Sequence, residues 1–221
     1  MPLNAVIHNF QEQLEYSSEL SEEAAWVDFY RRLWPNMIQA VRIDKHSKFQ
    51  QWGVDREILL PNGKRHSVDE KKRKKDYGDV LLEVCSVAEF DHKANRLARC
   101  QKPGWAVDPD KRCDFIAYAI PDAGKCWLFP FELLRQTTLH NRQAWQREPR
   151  WYPKTAINDG YTTVNIAVPY DVLFLAMRKQ MHRRFGEEAP LPLPRKDNGQ
   201  LSLFFQHGQA ADGDKAALPC P

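Results

Sequence analysis

Two acids and a lysine stand where a hairpin would bring them together. Asp55 follows Gly53-Val54 at the start of an extended run, Trp52 to Leu60, and Asp69-Glu70-Lys71 lies in a second run, His66 to Lys72. Between the runs sits Pro61-Asn62-Gly63-Lys64, and Asn-Gly flanked by strand-like segments is a strong hairpin signal. Side chains alternate along a strand, so Asp69 and Lys71 share one face while Val68 and Glu70 turn to the other. If the runs pair, Asp55 approaches Asp69, and the two carboxylates make a hard, all-oxygen site suited to Mg²⁺ or Mn²⁺. Lys71 beside them could orient a water or stabilise charge on a phosphate. A third extended run, Asp79 to Val87, adds Glu83, an acid among apolar neighbours that is costly to desolvate without a cation or a donor. Glu70 would take the place of Asp69 if the register slipped by one, but only Asp69 shares a face with Lys71.

Basic residues crowd the same stretch. Lys64, Arg65, Lys71, Lys72, Arg73, Lys74 and Lys75 stand against Asp69 and Glu70, a local excess of five positive charges in a chain whose net charge is +3. Such a patch attracts a phosphate backbone, so Lys64, Arg65 and Lys72 to Lys75 are candidate nucleic-acid contacts. Trp105, after Pro103-Gly104, reads as a core or turn anchor rather than a base-stacking residue, and His66 and His92 read as surface histidines.

The elements that must hold these groups follow from periodicity. Trp26, Phe29, Tyr30, Leu33, Met37 and Ile38 recur at helical spacing within Ser21 to Ala40, with Pro35 as a kink or break. After the three extended runs comes a polar helical piece, Glu89 to Cys100. Strands are expected at Arg112 to Ile120, Lys125 to Pro130 and Thr162 to Val168, and helices at Phe131 to Trp145 and Tyr170 to Phe185. This order predicts an α/β sandwich around a mixed sheet.

With 221 residues, 43% of them hydrophobic, the chain is long enough for one main domain, expected over 1–186. Beyond Gly186 the composition changes: Pro190, Pro192 and Pro194 alternate, and the stretch to Pro221 is small and polar, so 187–221 is expected to be a flexible tail. No stretch approaches 18 consecutive apolar residues, and Met1 to Leu14 has neither a basic nor an apolar leader region, which predicts a cytoplasmic protein without a membrane partner. Cys85, Cys100, Cys113, Cys126 and Cys220 are odd in number and include no CxxC pair, so all are expected to be reduced thiols.

Asp55 with Asp69-Glu70-Lys71 resembles the D…(D/E)xK signature of the PD-(D/E)XK, restriction-endonuclease-like nuclease superfamily. The order of elements from Ser21 to Ile120 resembles that superfamily's αβββαβ core; Val54 stands where a proline is usual, and Asp69 where glutamate is commoner. The resemblance implies Mg²⁺- or Mn²⁺-dependent phosphodiester hydrolysis. Asp55, Asp69 and Glu83 would bind the metal, with Glu22, Glu23 or Asp28 as further contributors, while Lys71 would help activate the attacking water and the metal would stabilise the transition state. Many members cut two strands as dimers, so the resemblance extends to a homodimer.

In the tail, Gln200-Leu201-Ser202-Leu203-Phe204 resembles the bacterial sliding-clamp-binding motif, QL(S/D)LF, at every position. That likeness implies docking on the beta subunit of DNA polymerase III, with Gln200 at the groove entry and Leu201, Leu203 and Phe204 in its apolar pocket. A Pro-rich tether would leave the folded body free to move. The reading that follows is a nucleoid-associated DNA nuclease recruited to the replication clamp; the runner-up is a clamp-tethered DNA-binding or adaptor protein that does not cleave.

Overall fold

The computed structural model describes residues 23–44 and 47–185. Four α-helices and nine strands run in the order α1 (Glu23–Leu33), β1 (Gln39–Arg42), α2 (Lys48–Gln51), β2 (Arg56–Leu59), β3 (Arg65–Lys72), β4 (Asp79–Asp91), β5 (Arg96–Pro103), β6 (Phe115–Ile120), β7 (Lys125–Pro130), α3 (Phe131–Gln146), β8 (Lys154–Asn158), β9 (Tyr161–Pro169) and α4 (Tyr170–Phe185). The fold is mixed α/β, as expected, but the strands divide between two sheets. One has the order β1-β2-β3-β6-β7 and the other β5-β4-β9-β8.

In the first sheet β1, β2 and β3 form an antiparallel meander, β3 pairs in parallel with β6, and β6 pairs antiparallel with β7. The β2–β3 turn forms where expected: Gly63, at φ +76°, donates to the Leu60 carbonyl, and Asn62 Oδ1 accepts from the Lys64 amide. Strand β6 is buried along its whole length and serves both sides of the sheet. Phe115, Ala117 and Ala119 join one cluster with Trp26, Phe29, Tyr30 and Trp34, so α1 and the turn after it cover that face. Ile116, Tyr118 and Ile120 join the other cluster, with Val80, Leu82 and Val84 of β4, Val164, Ile166 and Val168 of β9, and Leu134, Leu173 and Met177 from α3 and α4. The second sheet and two helices therefore cover the opposite face. The alternation of strand side chains between two covered faces is what makes β6 apolar throughout.

Several sequence expectations are corrected here. The first helix stops at Leu33 instead of running to Ala40: Pro35 forces the residue before it out of helical geometry, the chain turns, and Gln39–Arg42 becomes an edge strand. Trp52 closes the short helix α2 and does not begin a strand. Glu89 to Cys100 is not helical. Asp91 Oδ1 accepts from the amides of Lys93 and Ala94, Asn95 takes φ +48°, and the chain reverses into β5. Residues of this Asx-turn type favour reversal over helix because the side chain takes the place of a backbone acceptor. That hairpin brings Cys85 and Cys100 within 5.7 Å at Cα, where they form a disulfide, so only Cys113 and Cys126 are free among the described residues. Arg112 lies in the loop before β6, and β8 forms where no strand is expected. The expected tail lies outside the described residues. No helix among the described residues is long and apolar enough to cross a membrane.

Candidate functional site

Register decides which groups meet. Arg56 pairs with Val68 and Glu57 with Ser67 across β2 and β3. Continued by one residue, the same register sets Asp55 opposite Asp69, and the Asp55 amide donates to the Val68 carbonyl at 2.9 Å. The Asp55 side chain is held on both oxygens: Oδ2 accepts from the Glu70 amide at 2.8 Å and Oδ1 from Gln50 Nε2 at 2.9 Å. Asp69 is 1% exposed, and its Oδ1 accepts from Lys71 Nζ at 2.7 Å. Asp55, Asp69 and Lys71 thus face together into the gap between the two sheets.

The opposite face carries Glu70. It accepts from Arg56 Nε at 2.7 Å and from the Tyr30 hydroxyl at 3.0 Å, beneath α1. Strand alternation separates the two acids, and Glu70 serves the packing of helix on sheet. Asp28, on the far side of α1, is exposed and pairs with Arg31 at 3.6 Å, so it does not reach the cluster. Glu22 and the Glu23 side chain lie outside the described residues.

Lys111 enters the site unforeseen. Its Nζ donates to Asp69 Oδ2 at 2.5 Å, and its side chain is 8% exposed. The loop 104–114 that carries it is tied down at three places. The Ala106 amide bonds the Glu83 carbonyl at 3.1 Å, the Arg112 amide bonds the Trp52 carbonyl at 2.9 Å, and Asp114 Oδ2 accepts from both the amide and the hydroxyl of Ser67. Gly104 is required for this path, because a Cβ there would fall 2.3 Å from the Glu83 carbonyl oxygen. No local pattern marks Lys111 in the sequence; the signal lies only in a lone lysine between Asp110 and Arg112 ahead of a buried strand.

Glu83 stands on β4, in the other sheet, between Leu82 and Val84 of the larger core cluster. Its Oε1 accepts from the Ser86 hydroxyl and, at 3.4 Å, from the Trp105 amide, and its charge acts on Lys71. It therefore borders the cluster without bonding Asp55 or Asp69. Trp105 packs against the core, as expected. Among the described residues no three His, Cys, Asp or Glu side chains form a ready metal cluster.

Charge is unevenly compensated. Burial raises Asp69, but Lys71 and Lys111 overcome it and hold the carboxyl below its ordinary range. Burial lowers Lys71, yet Asp69 and Asp55 outweigh it and hold the ammonium well above its usual value, so this lysine is a fixed cation and no base. Asp55 goes the other way: burial, then the Asp69 charge, push it up to about 6. Cys113, buried nearby, is pushed by burial and by Asp69 up to about 12 and stays a thiol.

The Asp55 shift has a testable sign. A carboxyl whose folded pKa lies above its unfolded value of 3.8 binds the proton more tightly when folded, so its contribution to stability falls as pH rises from about 4 to about 6. The cost above that window is roughly 3 kcal/mol for a shift of this size. In EDTA, Asp55→Asn is expected to gain stability over the parent at pH 7.5 and to match it at pH 4, read from urea midpoints. Equal destabilisation at both pH values would contradict the assigned cause.

The basic run does not form one patch. β3 spans about 26 Å, and Lys64 and Arg65 sit at its start, with Arg65 paired to Glu57 at 3.3 Å, whereas Lys72 to Lys75 sit at its end. Lys72 lies on the α1 face, 5.7 Å from the Trp26 ring centre, and Arg73 pairs with Asp79 while its guanidinium rests over Tyr77. Only Lys74 and Lys75 of that end are exposed. His66 is buried against Trp34 and Phe115, correcting its reading as a surface residue; burial, then Lys64, lower its pKa. His92 sits in the β4–β5 turn beside Phe90. Compared with protein-family models, with curated proteins and with solved structures, the chain matches none.

Proposed function

We propose that this chain is a Mg²⁺- or Mn²⁺-dependent DNA nuclease of the PD-(D/E)XK, restriction-endonuclease-like kind, tethered to the bacterial sliding clamp by Gln200 to Phe204. The observation that carries the reading is the convergence of Asp55, Asp69 and Lys71 on one face of the β2–β3 hairpin, with Glu83 at the border. The order α1, the β1–β2–β3 meander, then β6 parallel to β3 supports an αβββαβ-type core. Where that core has a helix between the parallel strands, this chain has the β4–β5 hairpin and the loop 104–114.

The residues present fit a hard divalent cation. Asp55 and Asp69 offer carboxylate oxygens, and burial, then the Asp69 charge, raise the Asp55 pKa, so a cation between the two carboxylates would relieve their repulsion. Magnesium is commonly held by one or two carboxylates, with water and substrate phosphate completing its shell, so a third protein ligand is not required. When bound, the cation would supply Lewis-acid charge at the scissile phosphate. Asp55 and Asp69 would hold it, and Gln50 and the Glu70 amide keep Asp55 oriented. Lys71, fixed as an ammonium, donates hydrogen bonds to water or phosphate oxygen and removes no proton. Lys111 must release Asp69 Oδ2 if that oxygen is to take a cation, and it then offers a second ammonium to phosphate.

Circular and branched DNA incubated with the full chain and Mg²⁺ or Mn²⁺ is expected to be cut, and EDTA is expected to stop the reaction. Intact substrate under both metals would overturn hydrolysis. For the tether, joint replacement Gln200→Ala and Phe204→Ala is expected to weaken binding of the full chain to a bacterial clamp at least about tenfold, since anchor residues carry most of such an interface. Unchanged affinity by surface plasmon resonance would remove that part. The second reading, a non-cleaving clamp-tethered DNA-binding or adaptor protein, draws on the Lys111 ammonium already seated on Asp69.

A further inference from the structure

Six of the seven tryptophans are withdrawn from solvent or packed against the two clusters: Trp26, Trp34, Trp127 and Trp145 are buried, and Trp105 and Trp151 lie against the larger core. Trp52 differs. It is 38% exposed, and Phe49, one turn earlier on α2, is 48% exposed, their rings meeting edge to face at 5.5 Å. The exposed Arg112 guanidinium lies 5.4 Å from the Trp52 ring centre, and its own amide is bonded to the Trp52 carbonyl. The indole is therefore held in place from two directions while much of it still meets water.

This aromatic step adjoins the carboxylates. Gln50, between Phe49 and Trp52 in sequence, donates to Asp55 Oδ1, and Gly53 packs so closely on Lys111 that an added Cβ would fall 2.1 Å from its Nζ. Gly53 also takes φ +74°, a conformation that glycine adopts freely and that turns the chain from the aromatic step into Asp55.

We propose that Phe49, Trp52 and Arg112 form a stacking site for an unpaired nucleobase, so that the strand entering the carboxylate site is single-stranded there. The inference rests on the nuclease reading and adds the form of the substrate. A flat apolar ring beside a guanidinium suits a nucleotide, whose base offers a π-face and whose phosphate offers a negative charge; a paired base has its faces occupied by neighbours in the stack. Stacking of this kind tolerates any base, so the site reads strand state and carries no sequence preference.

The test is a fluorescence-anisotropy titration, in EDTA, of the full chain into dye-labelled dodecamers of deoxyuridine and of uridine and a labelled twelve-base-pair duplex. Single strands are expected to bind, and Trp52→Ala to weaken their binding roughly 5- to 150-fold, while Trp52→Phe retains most of it. Duplex binding should not depend on Trp52. A preference between the two single strands identifies which sugar the site accepts. Trp52→Ala binding single strands as the parent does, or the parent binding none, would overturn the proposal, and the Phe variant excludes loss through misfolding. Metal-dependent cleavage with no effect of Trp52→Ala on strand binding removes this inference alone; strand binding that depends on Trp52 without cleavage removes hydrolysis alone.

Discussion

Lys71→Ala is expected to lower metal-dependent DNA cleavage about 10²- to 10³-fold, the usual cost of deleting one preorganised charge donor from a reacting centre. The residue's pKa supplies the reason. Asp69 and Asp55 keep its ammonium protonated throughout the neutral range, so its contribution is electrostatic and present before substrate arrives. With 28% of its side chain open, it can meet a phosphate without leaving Asp69. Lys71→Arg keeps the charge but spreads it over a planar fork, and is expected to recover only part of the rate. The fold should persist in both variants, because Lys111 still neutralises Asp69 Oδ2. Initial rates on supercoiled circular DNA, with thermal melting as a control, give the comparison. Equal rates for parent and Lys71→Ala would leave the ammonium without a chemical role, and with it the hydrolytic reading.

The second large effect lies on the other face of the same strands. Arg56 is fully buried and bonds Glu70, whose side chain is 10% exposed, at 2.7 Å; Tyr30 donates to the same carboxylate oxygen. Tyr30 is itself fully buried and stacked between Trp26 and Trp34, so this ion pair joins α1 to the hairpin that carries Asp55 and Asp69. Removing one partner leaves a charge buried without compensation, which costs about 3–5 kcal/mol. Arg56→Ala is therefore expected to lower the melting temperature by roughly 6–20 °C. Arg56→Met combined with Glu70→Leu and Tyr30→Phe should recover much of that loss, because apolar groups of similar volume avoid the desolvation cost and leave no buried hydroxyl without its acceptor. A loss below about 1 kcal/mol in Arg56→Ala, read from urea unfolding, would show that water reaches this pair.

The part of the site that was legible in the sequence is the part that rests on local rules. Asn62-Gly63 announces the hairpin, and strand alternation then assigns Asp69 and Lys71 to one face and Glu70 to the other, as the structure has them. The final helix, Tyr170 to Phe185, was equally plain from Pro169 and the periodic run behind it. Charge counting was less informative. The run from Lys64 to Lys75 looks like one patch in one dimension, but a strand extends about 3.3 Å per residue and alternates its faces. Its two ends therefore separate, and Lys72 turns away from Lys71.

Elsewhere local signals compete with distant pairing. Glu89 to Cys100 has the polarity of a surface helix, but β4 runs on to Asp91, the chain reverses, and β5 pairs back along β4. The Cys85–Cys100 bridge depends on that pairing, so spacing alone did not reveal it.

Amino-acid order alone determined the hairpin, the shared face of Asp69 and Lys71, and the approach of Asp55, because turn chemistry and a two-residue repeat act between near neighbours. Only the tertiary structure decided that Lys111 closes on Asp69 from 42 residues away, that the charge of Glu83 acts on Lys71 from a second sheet, and that Trp52 stands exposed at the cluster's border. Those placements arise where the loop 104–114 is anchored to β3, β4 and the end of α2 at once, and contacts among separate elements leave no periodic trace in any one of them.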